Sequence, residues 1–294
     1  MTPPAGRERG FRLAALGDSI TVGVGDTVGA DAVHGPGWAA HLATVLGAET
    51  FANLATEGAR SRDVAGTQLA AALALRPHLA TVLVGGNDVL RSDFDARHTL
   101  ADLHRSVGEL CRAGTDVVLV LLPAIGLFEL GPRLVRRVMR RRVASINAAV
   151  EEVAGSAPGR VVVVDAARAI EPAGSRAWHI DRVHPSPLGH RALALAAAAA
   201  LSASPGTVDE NGVVHATSSV TNTTPFSAAE ARGRLPEAPE PPSVWERLVW
   251  LVQAGLPWCV RRGRDFLPGL LRAVVHDVKP RMTRRTRPAA ASRR

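Results

Sequence analysis

Cysteine is nearly missing: the 294 residues hold two, Cys111 and Cys259, far apart and in unlike contexts. They build neither a disulfide framework nor a thiolate metal site, and they suit a reducing compartment. Metal-ligand spacing is missing as well. His34, His41, His78, His98, His104, His179 and His190 stand at no regular interval from Cys or carboxylate residues. No metal and no other cofactor is therefore expected, and these histidines read as surface or packing residues. No segment reaches the roughly 20 apolar residues of a membrane-spanning helix. Residues 1–10 are rich in Pro, Gly and Arg, and the apolar run behind them is too short for a signal-peptide core. A cytoplasmic protein is the expectation.

Net charge is missing from most of the chain. The formal +8 sits in residues 231–294, which hold 14 Lys or Arg against 5 Asp or Glu, whereas residues 1–230 hold 21 against 22. The body is neutral, so nucleic-acid binding is not indicated for it. The run Arg133, Arg136, Arg137, Arg140, Arg141 and Arg142 has helical spacing and reads as a solvated helix face, with a grip on an anionic head group or lipid surface as the alternative. Gly23, Gly25 and Gly29 do not match a dinucleotide-binding glycine pattern and read as a flexible loop.

What is present is an apolar, strand-and-helix alternation. At 46% hydrophobic residues the chain has enough material for a proper core. Apolar, β-branched runs at 11–16, 50–54, 79–84, 117–122 and 161–164 alternate with helical patterns at 38–46, 63–75, 96–113 and 132–153, and a last helix runs from Pro187 to about 201. This order predicts a parallel five-stranded sheet with helical crossovers, an α/β fold. The domain is expected over 11–203 behind a flexible 1–10. Residues 204–242, rich in Ser, Thr, Pro and acidic residues, read as a disordered linker. Residues 243–280 read as an amphipathic helical tail opening on a Ser243-to-Glu246 capping box, and 281–294 as a basic disordered end. Three of the five tryptophans lie in this tail, so peripheral membrane contact through 243–294 is weighed against packing on the body or a partner.

Chemistry concentrates at strand ends. The first strand runs into Gly17, Asp18 and Ser19, which is where an open α/β sheet exposes residues to its ligand crevice. A serine hydroxyl is a weak nucleophile and needs a base, a group that orients the base, and donors for an oxyanion. Asp181 stands three residues before His184, a spacing that lets the carboxylate fix the imidazole tautomer. His184 can then take the Ser19 proton. Asn87, after the third strand, offers a side-chain amide, and Gly58, after the second, a bare backbone N–H. Asp18 and Asp88 read as structural.

These four blocks, Gly17-Asp18-Ser19-Ile20, Gly58, Gly85-Gly86-Asn87-Asp88 and Asp181 to His184 with Pro185, resemble those of the SGNH (GDSL) hydrolases, in that family's order. The resemblance covers residues 11 to about 201. It implies a flavodoxin-like three-layer α/β/α domain, and ester hydrolysis of the esterase or lipase type through an acyl-enzyme. It further implies Ser19 as nucleophile, His184 as general base, Asp181 as its orienting partner, and an oxyanion hole made of Ser19 N–H, Gly58 N–H and the Asn87 side chain. The G-x-S-x-G elbow of the other large hydrolase class does not occur here. A small-molecule or lipid ester is the expected substrate. Thioester or lysophospholipid cleavage by the same mechanism, or a non-catalytic membrane-tethered protein keeping the fold, are the alternatives.

Overall fold

A computed structural model of the chain describes residues 10–26, 34–203 and 228–243, with single positions between 245 and 275. Five parallel strands form one sheet: β1 (Arg12–Gly17), β2 (Thr50–Asn53), β3 (Leu79–Leu83), β4 (Asp116–Leu121) and β5 (Val161–Asp165). Their spatial order is β2-β1-β3-β4-β5. This is the flavodoxin-like order, and the chain reverses its winding direction between β1 and β3. β3 is buried along its whole length and β4 everywhere but its first residue, which is why both read as unbroken apolar runs.

Right-handed crossovers place successive helices on opposite faces once the winding reverses. Accordingly α2 (Gly37–Leu46) packs with α10 (Pro187–Ser202), and α6 (Ala96–Arg112) packs with α8 (Arg133–Ser156). These are the outer layers of an α/β/α sandwich. Trp38, fully buried, joins α2 to the core, and its indole N–H donates to Thr21 Oγ1 at 3.3 Å.

The crossover expected as one helix over 63–75 is built differently. It starts at Ser61 with α3 (Ser61–Asp63), passes through a π-helical turn (Val64–Gln68) and continues as α4 (Leu69–Leu75). The wider turn swings Gln68 toward β1, a use of π-bulges that recurs at functional sites. Short helices also occupy stretches to which the sequence assigned none: α1 (Ser19–Val22), α5 (Gly86–Val89), α7 (Gly126–Glu129) and α9 (Ala166–Ile170).

The arginine run of α8 divides its work. Arg142 donates to the carbonyls of Val89 and Arg91 at 2.6 and 2.8 Å and lies over the Phe94 ring. Arg140 pairs with Glu129, and Arg136 donates to the Glu129 carbonyl at 3.3 Å. Arg133, Arg137 and Arg141 are exposed, as a solvated face requires.

Part of the segment expected as a linker is structured. α11 (Ala228–Gly233) lies against α10, Ala231 is 5% exposed, and Arg234 donates to the Val45 carbonyl at 2.7 Å. Small apolar side chains and one reaching arginine suffice for docking where no long apolar stripe announces it. Ser243 and Glu246 exchange the two bonds of a capping box, Ser243 N–H to Glu246 at 2.7 Å and Glu246 N–H to Ser243 Oγ at 3.3 Å. The helical faces expected beyond that point, and the disordered end at 281–294, lie largely outside the described residues. Among those described, no helix is long and apolar enough to cross a membrane.

Candidate active site

The crevice opens where β1 and β3 end. Gly17 closes β1 with φ +153°, and a Cβ there would stand 2.4 Å from the Leu83 carbonyl oxygen and 2.6 Å from Thr21 Oγ1. Only glycine lets the chain turn so tightly between two strands. Asp18 then caps α1, its Oδ1 accepting from Ile20 N–H at 3.1 Å. Ser19 is the first helical residue, so its own N–H has no acceptor within that helix.

Gln68 fastens this corner. Its Oε1 accepts from Gly17 N–H at 2.8 Å and its Nε2 donates to Gly17 C=O at 3.0 Å, so one buried amide holds both polar groups of the residue. Nothing in sequence spacing signals this contact, which spans 51 residues.

The structure brings Ser19, His184 and Asp181 into one hydrogen-bonded line. Ser19 Oγ lies 2.8 Å from His184 Nε2, and His184 Nδ1 lies 2.7 Å from Asp181 Oδ2. The carboxylate requires a proton on Nδ1, leaving the Nε2 lone pair to face the serine hydroxyl. Asp181 Oδ1 accepts from the backbone N–H groups of Val183 at 2.8 Å and His184 at 3.0 Å, which fixes the carboxylate within its turn. Burial alone would raise the Asp181 pKa, but the close approach of His179 and the His184 hydrogen bond outweigh it and hold the carboxyl well below the usual range. It is therefore held as the anion beside His184.

The turn carrying these residues is braced on two sides. Its ends close through Ser186 N–H to Ala177 C=O at 2.8 Å and His179 N–H to His184 C=O at 2.9 Å. Its tip, Arg182, adopts φ +53°, a left-handed conformation unusual for a long side chain, and its carbonyl accepts from Leu127 N–H of α7 at 2.9 Å.

Gly58 and Asn87 arrive from the neighbouring strand ends. Gly58 sits in a turn closed by Ala59 N–H to Thr56 C=O at 3.2 Å, and Thr56 N–H in turn donates to Gly17 C=O at 3.3 Å. Asn87 Nδ2 donates to the Ala59 carbonyl at 3.1 Å and lies 3.4 Å from Asp18 Oδ2. Asn87 thus links the residue after Gly58 to the residue before Ser19. Asp88, buried, accepts from Ser61 N–H at 3.1 Å and pairs with Arg60, a structural role.

Asp18 is electrostatically unusual. Burial, with repulsion from Asp88, outweighs the Ile20 N–H bond and the attraction of His184, and pushes its pKa up to about 6.

Two further features escaped sequence reasoning. His179, expected as a surface or packing residue, places Nδ1 3.3 Å from Asp181 Oδ2. Behind the site, fully buried Asp26 accepts from Gly37 N–H at 2.9 Å, His41 Nε2 at 2.8 Å and Arg191 Nη1 at 3.2 Å. Next to it, His190 accepts from Trp38 N–H on Nδ1 at 3.1 Å, so Nε2 carries the hydrogen donated to Val24 C=O at 3.0 Å. Burial drives the His190 pKa down to about 4, consistent with a neutral ring. Among the described residues no group of three or more His, Cys, Asp or Glu is arranged to hold a metal ion.

A three-layer α/β/α sheet with a serine, a histidine and an aspartate joined at the carboxyl ends of its strands defines the hydrolase class of this fold. The GDSL-like Lipase/Acylhydrolase family model matches residues 15–192, and the chain belongs to that family. It is a carboxylic ester hydrolase. No curated protein matched the sequence. Among solved structures, the acetylxylan esterase Axe2 of Geobacillus stearothermophilus is 25% identical with a TM-score of 0.50, covering 64% of this chain and 92% of its own. LAE5, an alpha/beta hydrolase enzyme from the metagenome of Lake Arreo in Spain, is 22% identical with a TM-score of 0.52, covering 65% and 94%, a likeness of fold alone. Catalytic mutants of Axe2 at a serine, an aspartate and a histidine match equally well.

Proposed function

We propose that the protein cleaves carboxylic esters through an acyl-enzyme on Ser19. As Ser19 Oγ bonds to the ester carbonyl carbon, its proton passes to His184 Nε2, and the imidazolium is stabilised by Asp181 across Nδ1. Collapse of the tetrahedral intermediate breaks the bond to the alkoxy group, which leaves as the alcohol with the proton from His184. A water molecule then attacks the acyl carbon, gives a proton to the same Nε2, and the returning proton frees Ser19 and the acid. Ser19 N–H, Gly58 N–H and Asn87 Nδ2 are the donors proposed for the oxyanion. The Asn87 hydrogen now spent on the long, 3.4 Å contact with Asp18 is the one most readily turned to it.

The observation that carries this reading is the 2.8 Å and 2.7 Å pair of contacts through His184. The aspartate, histidine and serine named in the catalytic mutants of the acetylxylan esterase are the same residue types. Acetyl esters are therefore the natural start of a chain-length series of acyl substrates. Ser19→Ala should abolish hydrolysis of p-nitrophenyl acetate while leaving the fold intact; a Ser19→Ala protein as active as the parent would end the proposal.

For the tail, we propose peripheral contact with an anionic membrane surface. Trp245, Val252, Leu271 and Val275 are all exposed, and the arginines around them supply the charge.

A further inference from the structure

Asp181 carries two histidines, and the reaction uses one. Its Oδ1 is filled by two backbone N–H groups, so Oδ2 is the oxygen left for side chains. That oxygen takes His184 Nδ1 at 2.7 Å and stands 3.3 Å from His179 Nδ1. All three side chains are mostly buried, at 18% exposure for His179, 12% for Asp181 and 11% for His184.

The placement of His179 is enforced by the backbone. Its N–H donates to His184 C=O at 2.9 Å and its C=O accepts from Arg182 N–H at 3.0 Å. From the other side Gly25 presses on both histidines. A Cβ at Gly25 would lie 3.2 Å from the Cβ of His179, 3.2 Å from the Cβ of His184 and 2.3 Å from the Pro185 carbonyl oxygen. That contact, at φ +92°, is open to glycine alone. The loop bearing Gly25 is itself pinned by His190 at Val24 and by Asp26.

We propose that His179 is a positioning residue for ester hydrolysis, which divides the Asp181 charge between two imidazoles and so restrains the basicity of His184. The inference rests on the Ser19, His184 and Asp181 reading given above. Charge on Oδ2 that faces His179 Nδ1 at 3.3 Å, a close polar contact outside hydrogen-bond alignment, is less available to the His184 imidazolium formed when Ser19 gives up its proton. With His179 gone, His184 holds its proton more tightly.

Among the described residues, other charged groups lie on the same turn as His179 and across Gly25. On its own turn are Asp181, His184 and the exposed Arg182. Across Gly25 stands Asp26, occupied by His41, Arg191 and Gly37 N–H, with His190 behind it bound to Trp38 and Val24.

The test is the pH profile of kcat/KM for p-nitrophenyl acetate in full-length His179→Leu and His179→Gln proteins. In His179→Leu the acid limb should move to higher pH by about half to one unit, with kcat lowered several-fold and KM little changed. His179→Gln, a neutral donor of similar reach, should restore the parental limb at least in part. The low-field proton on His184 Nδ1, read by NMR, should move further downfield in His179→Leu. An acid limb that stays in place or moves to lower pH, or a His179→Gln protein indistinguishable from His179→Leu, overturns the proposal. If His179→Leu does not fold, His179→Ala takes its place with the same expectation: an acid limb moved to higher pH supports charge sharing, and one that stays in place or moves to lower pH rejects it. Failure of Ser19→Ala to lose activity is a separate result and strikes the triad reading instead.

Discussion

Replacing Gln68 by Leu isolates the fastening of the nucleophile corner. The two side chains are close in size, so little cavity is left, and the effect is confined to hydrogen bonding. Gly17 C=O keeps Thr56 N–H at 3.3 Å, but Gly17 N–H loses its 2.8 Å acceptor inside a buried site. An orphaned buried donor costs about 1–3 kcal/mol, and loss of the second, better-satisfied bond adds about 0.5–1 kcal/mol. A destabilisation of about 1.5–4 kcal/mol follows, equivalent to a fall in Tm of roughly 3–16 °C for a domain of this size. Because Gly17 is two residues from Ser19, kcat should fall further than the folded fraction explains. Urea unfolding gives the first quantity, and p-nitrophenyl acetate hydrolysis well below the unfolding midpoint gives the second. Gln68→Glu adds a control with a sign of its own. One carboxylate oxygen can still accept from Gly17 N–H, while the other faces the Gly17 carbonyl and needs a proton, so this variant should be most nearly native at low pH. A Gln68→Leu protein with parental stability and parental kcat would refute the account of this corner.

Asp18 offers a linkage experiment. Its folded pKa of about 6 lies above the ordinary 3.8, so the folded state binds that proton more tightly than the unfolded state does. Its contribution to stability is therefore full below about pH 4 and is lost as pH rises through 6, a difference of about 3 kcal/mol. Asp18→Asn should flatten this part of a urea-unfolding pH series; coincident slopes for parent and variant would show that the carboxyl is not so placed. For the tail, full-length protein should co-sediment with phosphatidylglycerol vesicles in a salt-sensitive way and not with phosphatidylcholine ones, and truncation after residue 242 should remove the binding. Equal sedimentation with and without the tail would reject the membrane proposal.

Strand positions were legible because each parallel strand, buried on both faces, writes itself as a β-branched run bounded by turn residues. All five appear within a residue of where periodicity puts them. That Ser19, His184 and Asp181 could meet was legible because Ser19 lies just past β1 and Asp181 stands three residues before His184; the oxyanion roles of Gly58 and Asn87, a few residues past β2 and β3, remain part of the proposal. Gln68 was not, because its partner lies 51 positions away and a π-turn, invisible to a 3.6-residue period, decides where it points. His179 was hidden for another reason. A histidine two residues before an aspartate means nothing until the turn brings it, together with His184, to one carboxylate oxygen. The buried Asp26 pairs with residues 15 and 165 positions along the chain, distances over which spacing carries no information.

Arg191 sits at a junction whose meaning extends to where the domain ends. Through Nη1 it reaches buried Asp26, and through Nε and Nη2 it reaches the carbonyls of Pro236 and Glu237 at 3.0 and 3.4 Å. One guanidinium thus ties the returning chain to the carboxylate that anchors the loop behind His184. Packed structure accordingly does not stop with α10, although the family match ends at residue 192. A protein cut after residue 203 would uncover Ala231's seat and leave Arg191 with fewer acceptors, and the loss would be felt at the loop that presses on both histidines. Cutting after residue 242 keeps that clasp, so only the longer version separates what the tail does from what the hydrolase needs in order to hold its shape.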